Sequence, residues 1–338
     1  MSLRNKIKKY LPSYRTEARM MEKLDALRKD LREMDKKNEY LFMLSQMQPG
    51  EDLQDVRRRI HLQLPKATGR LRDIQIAENY ILQRVKDICD ANGLQFFLIG
   101  GTLMGAVRHK GFIPWDDDMD MGMMRSDYEK FCRIAPAKLK PEFCLQTWYT
   151  EPNYGLPFGK VMKRGTVYLE NKKTSRLQNN GIYVDIFPYD YAPENPVERK
   201  QLTESLLSIY RMKLMKSGYK PWMEEDGIVW KKRIGYLYYQ LKSLFVSPQS
   251  LVRDYDTLAV AVHDSSVICE RNGRTKLDCY DRACIEELAD YTFEGETFKG
   301  PRNFDQYLTN LYGDYMVLPP EGQRENRHQI IKIDFGEE

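Results

Sequence analysis

Apolar residues recur at helical spacing in the early part of the chain and then give way to short, dense runs. From Thr16 to about Gln46 there is no Gly or Pro, and Met20, Leu24, Leu27, Leu31, Met34 and Leu41 alternate by four and three, interrupted by Asn38. This spacing predicts a helix of several turns with an apolar seam, which either pairs with a second copy to make a homodimer or folds back on its own chain. Pro49-Gly50 ends the segment. A second helix is predicted from about Gly69 to Ala91, with Leu71, Ile74, Ala77, Ile81, Leu82, Val85 and Ile88 on one face and Asn92-Gly93 as its stop. The next residues, Leu94-Gln95-Phe96-Phe97-Leu98-Ile99, read as a buried strand that delivers its end to Gly100-Gly101. Residues 196–255 are again helical in pattern and rich in Tyr, Lys and Leu, which predicts a helical subdomain.

The segment after this strand is where chemistry is expected. Gly100 and Gly101 lack Cβ atoms, so the backbone can approach a ligand closely, and a helix starting near Thr102 would aim free N–H groups at a phosphate. The cluster Asp116-Asp117-Asp118-Met119-Asp120 follows and runs into Met121-Gly122-Met123. If 118–123 is a strand, Asp118 and Asp120 share one face while Met119 and Met121 enter the core. Neighbouring carboxylates repel, so such an arrangement calls for a cation, and hard oxygen ligands suit Mg²⁺ or Mn²⁺ bound together with substrate phosphates. A further acid, Asp185, sits inside the apolar strand pattern GIYVDIFP, where an unpaired carboxylate would be costly. Arg108, His109, Lys110, Lys160 and Lys163 are candidates to neutralise phosphate charge. Trp115, with Tyr183, Phe187 and Tyr189, is a candidate to stack on a base or cage a quaternary ammonium.

Together these motifs resemble the nucleotidyltransferase (DNA polymerase beta-like) superfamily. Residues 99–131, with GGTLMGAVRHKGFIPWDDDMDMGMMRSDYEKF, resemble the LicD family of phosphocholine transferases, which includes relatives of fukutin, and the resemblance continues in GIYVDIFPYD and FDQYLTNLYGDYMVLPP. It implies an α+β nucleotidyltransferase fold with a small mixed sheet, an added helical subdomain over about 196–255 and an N-terminal helical extension. The domains expected are that extension, 1–60, and a catalytic domain, 66–338. It also implies that Asp118, Asp120 and Asp185 are catalytic metal ligands and that Gly100, Gly101 and Thr102 form the phosphate-side turn. The implied activity moves a phospho-alcohol, with CDP-choline as the first donor to consider, to a hydroxyl of a glycan, lipid-linked glycan or teichoic acid precursor. A nucleotidyltransferase acting on an NTP and a non-catalytic scaffold of polysaccharide assembly are the alternatives.

Composition narrows this picture. The net charge of +4 gives no broad nucleic-acid footprint, so no nucleic-acid partner is expected. No run approaches the ~20 apolar residues of a membrane span, and the six cysteines show no C-x-x-C spacing, so they are expected as reduced thiols. A weak zinc alternative would group Cys269, Cys279, Cys284 and His263. Both observations place the protein in the cytoplasm. The acid-free segment MSLRNKIKKYLPSYR adds an expected peripheral contact with the inner face of the membrane.

Overall fold

The computed structural model describes residues 3–170, 179–219, 229–273, 278–325 and 330–336; the side chains of residues 1–18, 21, 32 and 229–233 also lie outside the described residues. The chain forms two compact units, Met1–Gln63 with Asp314–Arg324, and Leu64–Gly313 with Glu325–Glu338.

In the first unit, α1 (Leu3–Ser45) is a single helix of 43 residues, so the basic N-terminal stretch and the apolar seam are continuous. The side chains expected to meet a membrane lie outside the described residues. Helix α2 (Leu53–Gln63) packs beside the C-terminal part of α1, where Met43 and Glu39 are buried. A two-pronged ion pair fixes the arrangement: Arg57 Nε and Nη2 each donate to Glu39 at 3.0 Å. The seam residues stay exposed.

The second unit is mixed α/β. Helix α3 (Gly69–Asn92) ends at Gly93, whose left-handed φ of 61° supplies the stop expected there. Strand β1 (Phe97–Leu98) is shorter than the apolar run suggested, because only these two residues pair with a neighbour. Then come α4 (Gly100–His109), β2 (Asp120–Met124), α5 (Arg125–Lys138), β3 (Phe143–Gln146), β4 (Gly159–Lys163), β5 (Val167–Leu169) and the long β6 (Tyr183–Ala192). Helices α6 (Pro196–Lys216), α7 (Val229–Ser243) and α8 (Pro248–Ala259) follow, with β7 (Val267–Glu270), β8 (Cys279–Asp281), α9 (Arg282–Glu286), β9 (Leu288–Phe293), β10 (Glu296–Pro301), α10 (Phe304–Tyr312) and β11 (Lys332–Asp334).

The main sheet runs β1-β2-β6-β4-β3, with β7 and β8 continuing from the far half of β6. Among the described residues its parallel pair is β2–β6; its other pairs are antiparallel. Met119, Met121, Met123, Val184 and Ile186 are fully buried, as the alternation of polar and apolar residues required. The β9–β10 turn uses positive φ at Glu294 (48°) and Gly295 (88°), matching the twist of a tight hairpin. The Glu294 N–H donates to the Lys110 carbonyl at 2.9 Å, which fixes the end of α4.

One expectation is corrected. Cys269 and Cys279 form a disulfide, because β7 and β8 pair in a register that sets them opposite each other with Cα atoms 4.2 Å apart. Cys89, Cys132, Cys144 and Cys284 remain free thiols. The bond removes two of the four residues from the zinc alternative and withdraws one ground for a cytoplasmic placement. No helix among the described residues is long and apolar enough to cross a membrane.

Asp190, on β6, is the core's polar anchor. Arg125 grips it through Nε and Nη2, both at 2.7 Å, and Arg271 adds Nε at 2.9 Å. Burial alone would push this carboxyl up, but the two guanidinium groups hold it below the usual aspartate range. Its stabilising effect is therefore present above the unfolded-state value of about 3.9 and is lost as pH falls through the lower folded value. Asp190→Ala should lower unfolding free energy by about 3–5 kcal/mol, since it leaves two buried cations facing one another. Denaturant unfolding at neutral pH measures it.

Candidate active site

The site forms where the glycine turn, the acid loop and two adjacent strands meet. Ile99 precedes α4 in extended conformation, and Gly100 turns the chain with φ of 53°, a value that favours glycine. A Cβ on Gly100 would sit 3.4 Å from Asp120 Oδ2 and from the Tyr312 hydroxyl. One on Gly101 would lie 2.8 Å from Asp116 Oδ2. The bare turn thus lies directly against the carboxylates. Thr102 locks it there, its Oγ1 accepting the Asp120 N–H at 2.8 Å.

Strand register supplies the next layer. In the parallel pair β2–β6, Asp120 stands beside Asp185, and on the other edge of β6 Asp185 stands beside Lys160 of β4. Cross-strand neighbours share a face, so an acid, an acid and a lysine lie in one row. Lys160 Nζ is 2.8 Å from Asp185 Oδ1 and 3.2 Å from the centroid of the Tyr183 ring. Asp118 precedes β2 in the loop, whereas the sequence pattern had placed it within the strand. Its charge nevertheless acts on both Asp120 and Asp185.

The electrostatic consequence is an acid pocket that resists ionisation. Burial, then Asp118 and Asp185, push the Asp120 carboxyl well above its ordinary range. Burial raises Asp185 to about 6 even though Lys160 opposes the shift. Asp116, Asp117 and Asp118 can also bring one oxygen each within 4.8 Å of one another. Of these, Asp117 accepts from the Tyr168 hydroxyl at 2.7 Å, and the Asp116 carbonyl accepts from Gln75 Nε2 at 2.9 Å.

The remaining candidates divide. Arg108 is buried rather than a surface cation, with Nη1 3.1 Å from Met104 Sδ. His109 ends α4 and meets Trp115 edge to face, centroids 6.4 Å apart. Lys110 caps the helix in left-handed conformation. Lys163 lies three residues from Lys160 on β4, so the strand's period of two turns it to the opposite face. Of the aromatics, Tyr183 joins the row, Phe187 packs on Phe158 at 4.3 Å, and Tyr189 is buried with its hydroxyl on Glu270 at 2.8 Å.

Sequence reasoning missed Glu78. It lies on the buried face of α3 with Ile74, Ile81 and Val85, and its pKa is pushed well up by burial and then by Asp118, Asp117, Asp116 and Asp120. The signal was present as an acid at an apolar-face position of a strongly periodic helix. Tyr307 was also missed; its hydroxyl accepts the Gly100 N–H at 3.4 Å.

The residues fit a hard divalent cation. Glu78 Oε2 is buried without a hydrogen-bond partner among the described residues, the acids repel one another, and the missing Cβ atoms of Gly100 and Gly101 let the Asp120 and Asp116 carboxylates come close to the turn.

Comparison with known proteins bears on this geometry. Residues 93–212 match the family model described as LicD/FKTN/FKRP, nucleotidyltransferase domain. That segment is a LicD-family domain, and it contains the glycine turn, the acid loop and Asp185. Over 261 residues the chain is 28% identical to the lipopolysaccharide cholinephosphotransferase LicD of Haemophilus influenzae, an alignment covering 76% of this chain and 96% of that protein. It is 37% identical over 116 residues to the ribitol 5-phosphate transferase FKRP of Mus musculus, covering 34% of this chain and 20% of FKRP. An uncharacterized protein of Rickettsia typhi is 39% identical over 56 residues, which is 17% of this chain and 18% of that one.

Without divalent cations, Asp120→Asn should raise the melting temperature at pH 7.5 by a few degrees, at about 2–4 °C per kcal/mol for a domain of this size. The raised carboxyl pKa values mean that the folded state binds protons more tightly than the unfolded chain. The stability they lend is full below about 3.9 and is lost as pH rises through about 6 for Asp185. Calorimetric scans in chelator across this range check it; a lower melting temperature for the variant at pH 7.5 would refute the repulsion.

Proposed function

We propose that this chain transfers a phospho-alcohol, phosphocholine first, from a CDP-alcohol donor to a hydroxyl of a glycan or lipid-linked glycan acceptor. The class, a transferase of a substituted phosphate group, is that of its named LicD and FKRP relatives. The carrying observation is the register that sets Asp120 beside Asp185, with the bare glycine turn against the carboxylates of Asp120 and Asp116. The parallel β2–β6 pair after a glycine turn also supports a nucleotidyltransferase-type fold.

Asp118, Asp120 and Asp185 would hold Mg²⁺ or Mn²⁺, which when bound neutralises charge on the donor diphosphate. The N-terminal N–H groups of α4 beyond Gly100 would donate to the same phosphates. Lys160, already in the row, adds a point charge for them. In the transfer the acceptor oxygen bonds to the phosphorus bearing the alcohol, and the bond from that phosphorus to the bridging oxygen breaks. CMP departs with the electron pair. The acceptor's proton would pass to Asp185, the acid that Lys160 and Asp120 flank in the row.

Choline is favoured over uncharged alcohols by the pocket next to this row. Tyr154, Tyr168, Tyr183 and Tyr219 line it together with Lys160 and Glu170; the Lys160 ammonium now covers the Tyr183 face and would leave it to a donor's ammonium on turning to the phosphates. An aromatic wall with an acid at its edge suits a quaternary ammonium.

Purified protein with Mg²⁺ or Mn²⁺ and a panel of CDP-alcohols and NTPs, supplied with acceptor glycan, should release CMP from CDP-choline. Asp120→Ala should cut the rate by about a thousandfold or more. Pyrophosphate release from an NTP would instead establish a nucleotidyltransferase. Within the panel, Tyr183→Ala should raise KM for CDP-choline about tenfold, a loss of roughly one cation–π contact, with a smaller change for CDP-ribitol.

A further inference from the structure

Helix α1 presents an apolar seam that nothing among the described residues of its own unit covers. Met20, Leu24, Leu27, Leu31, Met34 and Leu41 are 70%, 42%, 64%, 50%, 57% and 53% exposed, while α2 packs on the opposite face at Glu39 and Met43. The spacing assigns Leu24, Leu31 and Asn38 to heptad positions a, and Met20, Leu27, Met34 and Leu41 to positions d. Five of the flanking e and g positions are charged, Lys23, Asp30 and Lys37 at g and Arg28 and Asp35 at e, while Met21 and Phe42 at e and Leu44 at g are apolar.

These flanking charges select a partner and a direction. In a parallel, in-register pair of two copies, each g residue meets the e residue five positions on in the other chain. Lys23 would then face Arg28 and Asp30 would face Asp35, in both symmetry-related places, so four like-charge contacts result. In an antiparallel pair, e meets e and g meets g. With Leu24 set against Leu41 of the second copy, Leu31 falls against Met34 and Leu27 against Asn38. The same register brings Arg28 to Asp35 and Asp30 to Lys37, each twice, giving four attractions. Asn38 is the opposing consideration, because a parallel pair would stack it on its own counterpart. One polar layer is set against a reversal of sign at four charged contacts, which outweighs the two layers in which the antiparallel pair sets Asn38 against Leu27. Arg28 now contacts Asp25 at 3.5 Å, but both side chains are more than 60% exposed, so this pair is weak and free to rearrange.

We infer that α1 is a self-docking surface: two copies of this chain associate through an antiparallel coiled-coil pair of α1 helices over about residues 20–45.

Sedimentation equilibrium on the full chain should show a dimer. Asp30→Lys should weaken it roughly tenfold, because two attractions become repulsions, and adding Lys37→Asp should restore it. A parallel pair would respond oppositely: Asp30→Lys would place lysine against Asp35 and tighten the dimer. Mixing Leu24→Cys and Leu41→Cys proteins under mild oxidation should give a cross-linked dimer, whereas Leu24→Cys alone should not cross-link, with the wild-type chain as the control for its native thiols. A wild-type monomer at tens of micromolar, a tighter Asp30→Lys dimer, or cross-linking of Leu24→Cys alone would each overturn the inference.

Discussion

Like charges that the fold will not let separate are the constraint on which this structure turns. Asp120 and Asp185 occupy adjacent positions on paired strands, so their Cα atoms are held by backbone hydrogen bonds rather than by side-chain choice. Asp118 closes the row from the loop, and Glu78 faces it from α3. Lys160 offsets only one of these acids. A protein selected for stability alone would not place carboxylates this way. The strain has a counterpart at the turn, where two glycines make room for the carboxylates of Asp120 and Asp116.

Much of this could be read from sequence, for reasons of range. The α3 helix and its stop, the glycine turn and the interleaving of aspartates with buried methionines all depend on residues within a few positions of each other, where periodicity and turn chemistry act. The row Asp120, Asp185, Lys160 depends on strand register between residues 65 and 25 positions apart, which local pattern does not encode. Glu78 was visible only as an anomaly, an acid where α3 should have carried an apolar side chain. The Cys269–Cys279 bond had a signal too: ten residues of separation with Gly273 between them suits a hairpin. Cysteine-spacing rules for metals do not test for that geometry. Tyr307 and Tyr312 reach the glycine turn from α10, so their roles follow from tertiary packing.

Around the acid row the fold spends its rigidity unevenly. The chain of hydroxyl contacts from Gly100 through Tyr307 and Tyr189 to Glu270 ties the turn to β7, with the two tyrosine oxygens 3.2 Å apart. The β9–β10 hairpin braces the far end of α4 through the Lys110 carbonyl. The helix whose first turn carries the two glycines is therefore held at both ends.

Strand β6 carries the acid of the row and the structural one five residues apart. An odd interval along an extended chain puts Asp185 and Asp190 on opposite sides of the sheet, one toward the acid row and one toward Arg125 and Arg271. The strand therefore acts as a ruler with two marks. Insertion or loss of a single residue between them would exchange the sides, leaving a carboxylate among apolar neighbours at one mark and two unmatched cations at the other. Substitutions along β6 can be absorbed one at a time, but its length between these marks cannot drift, so descendants of this chain can vary the letters of the strand far more freely than their number.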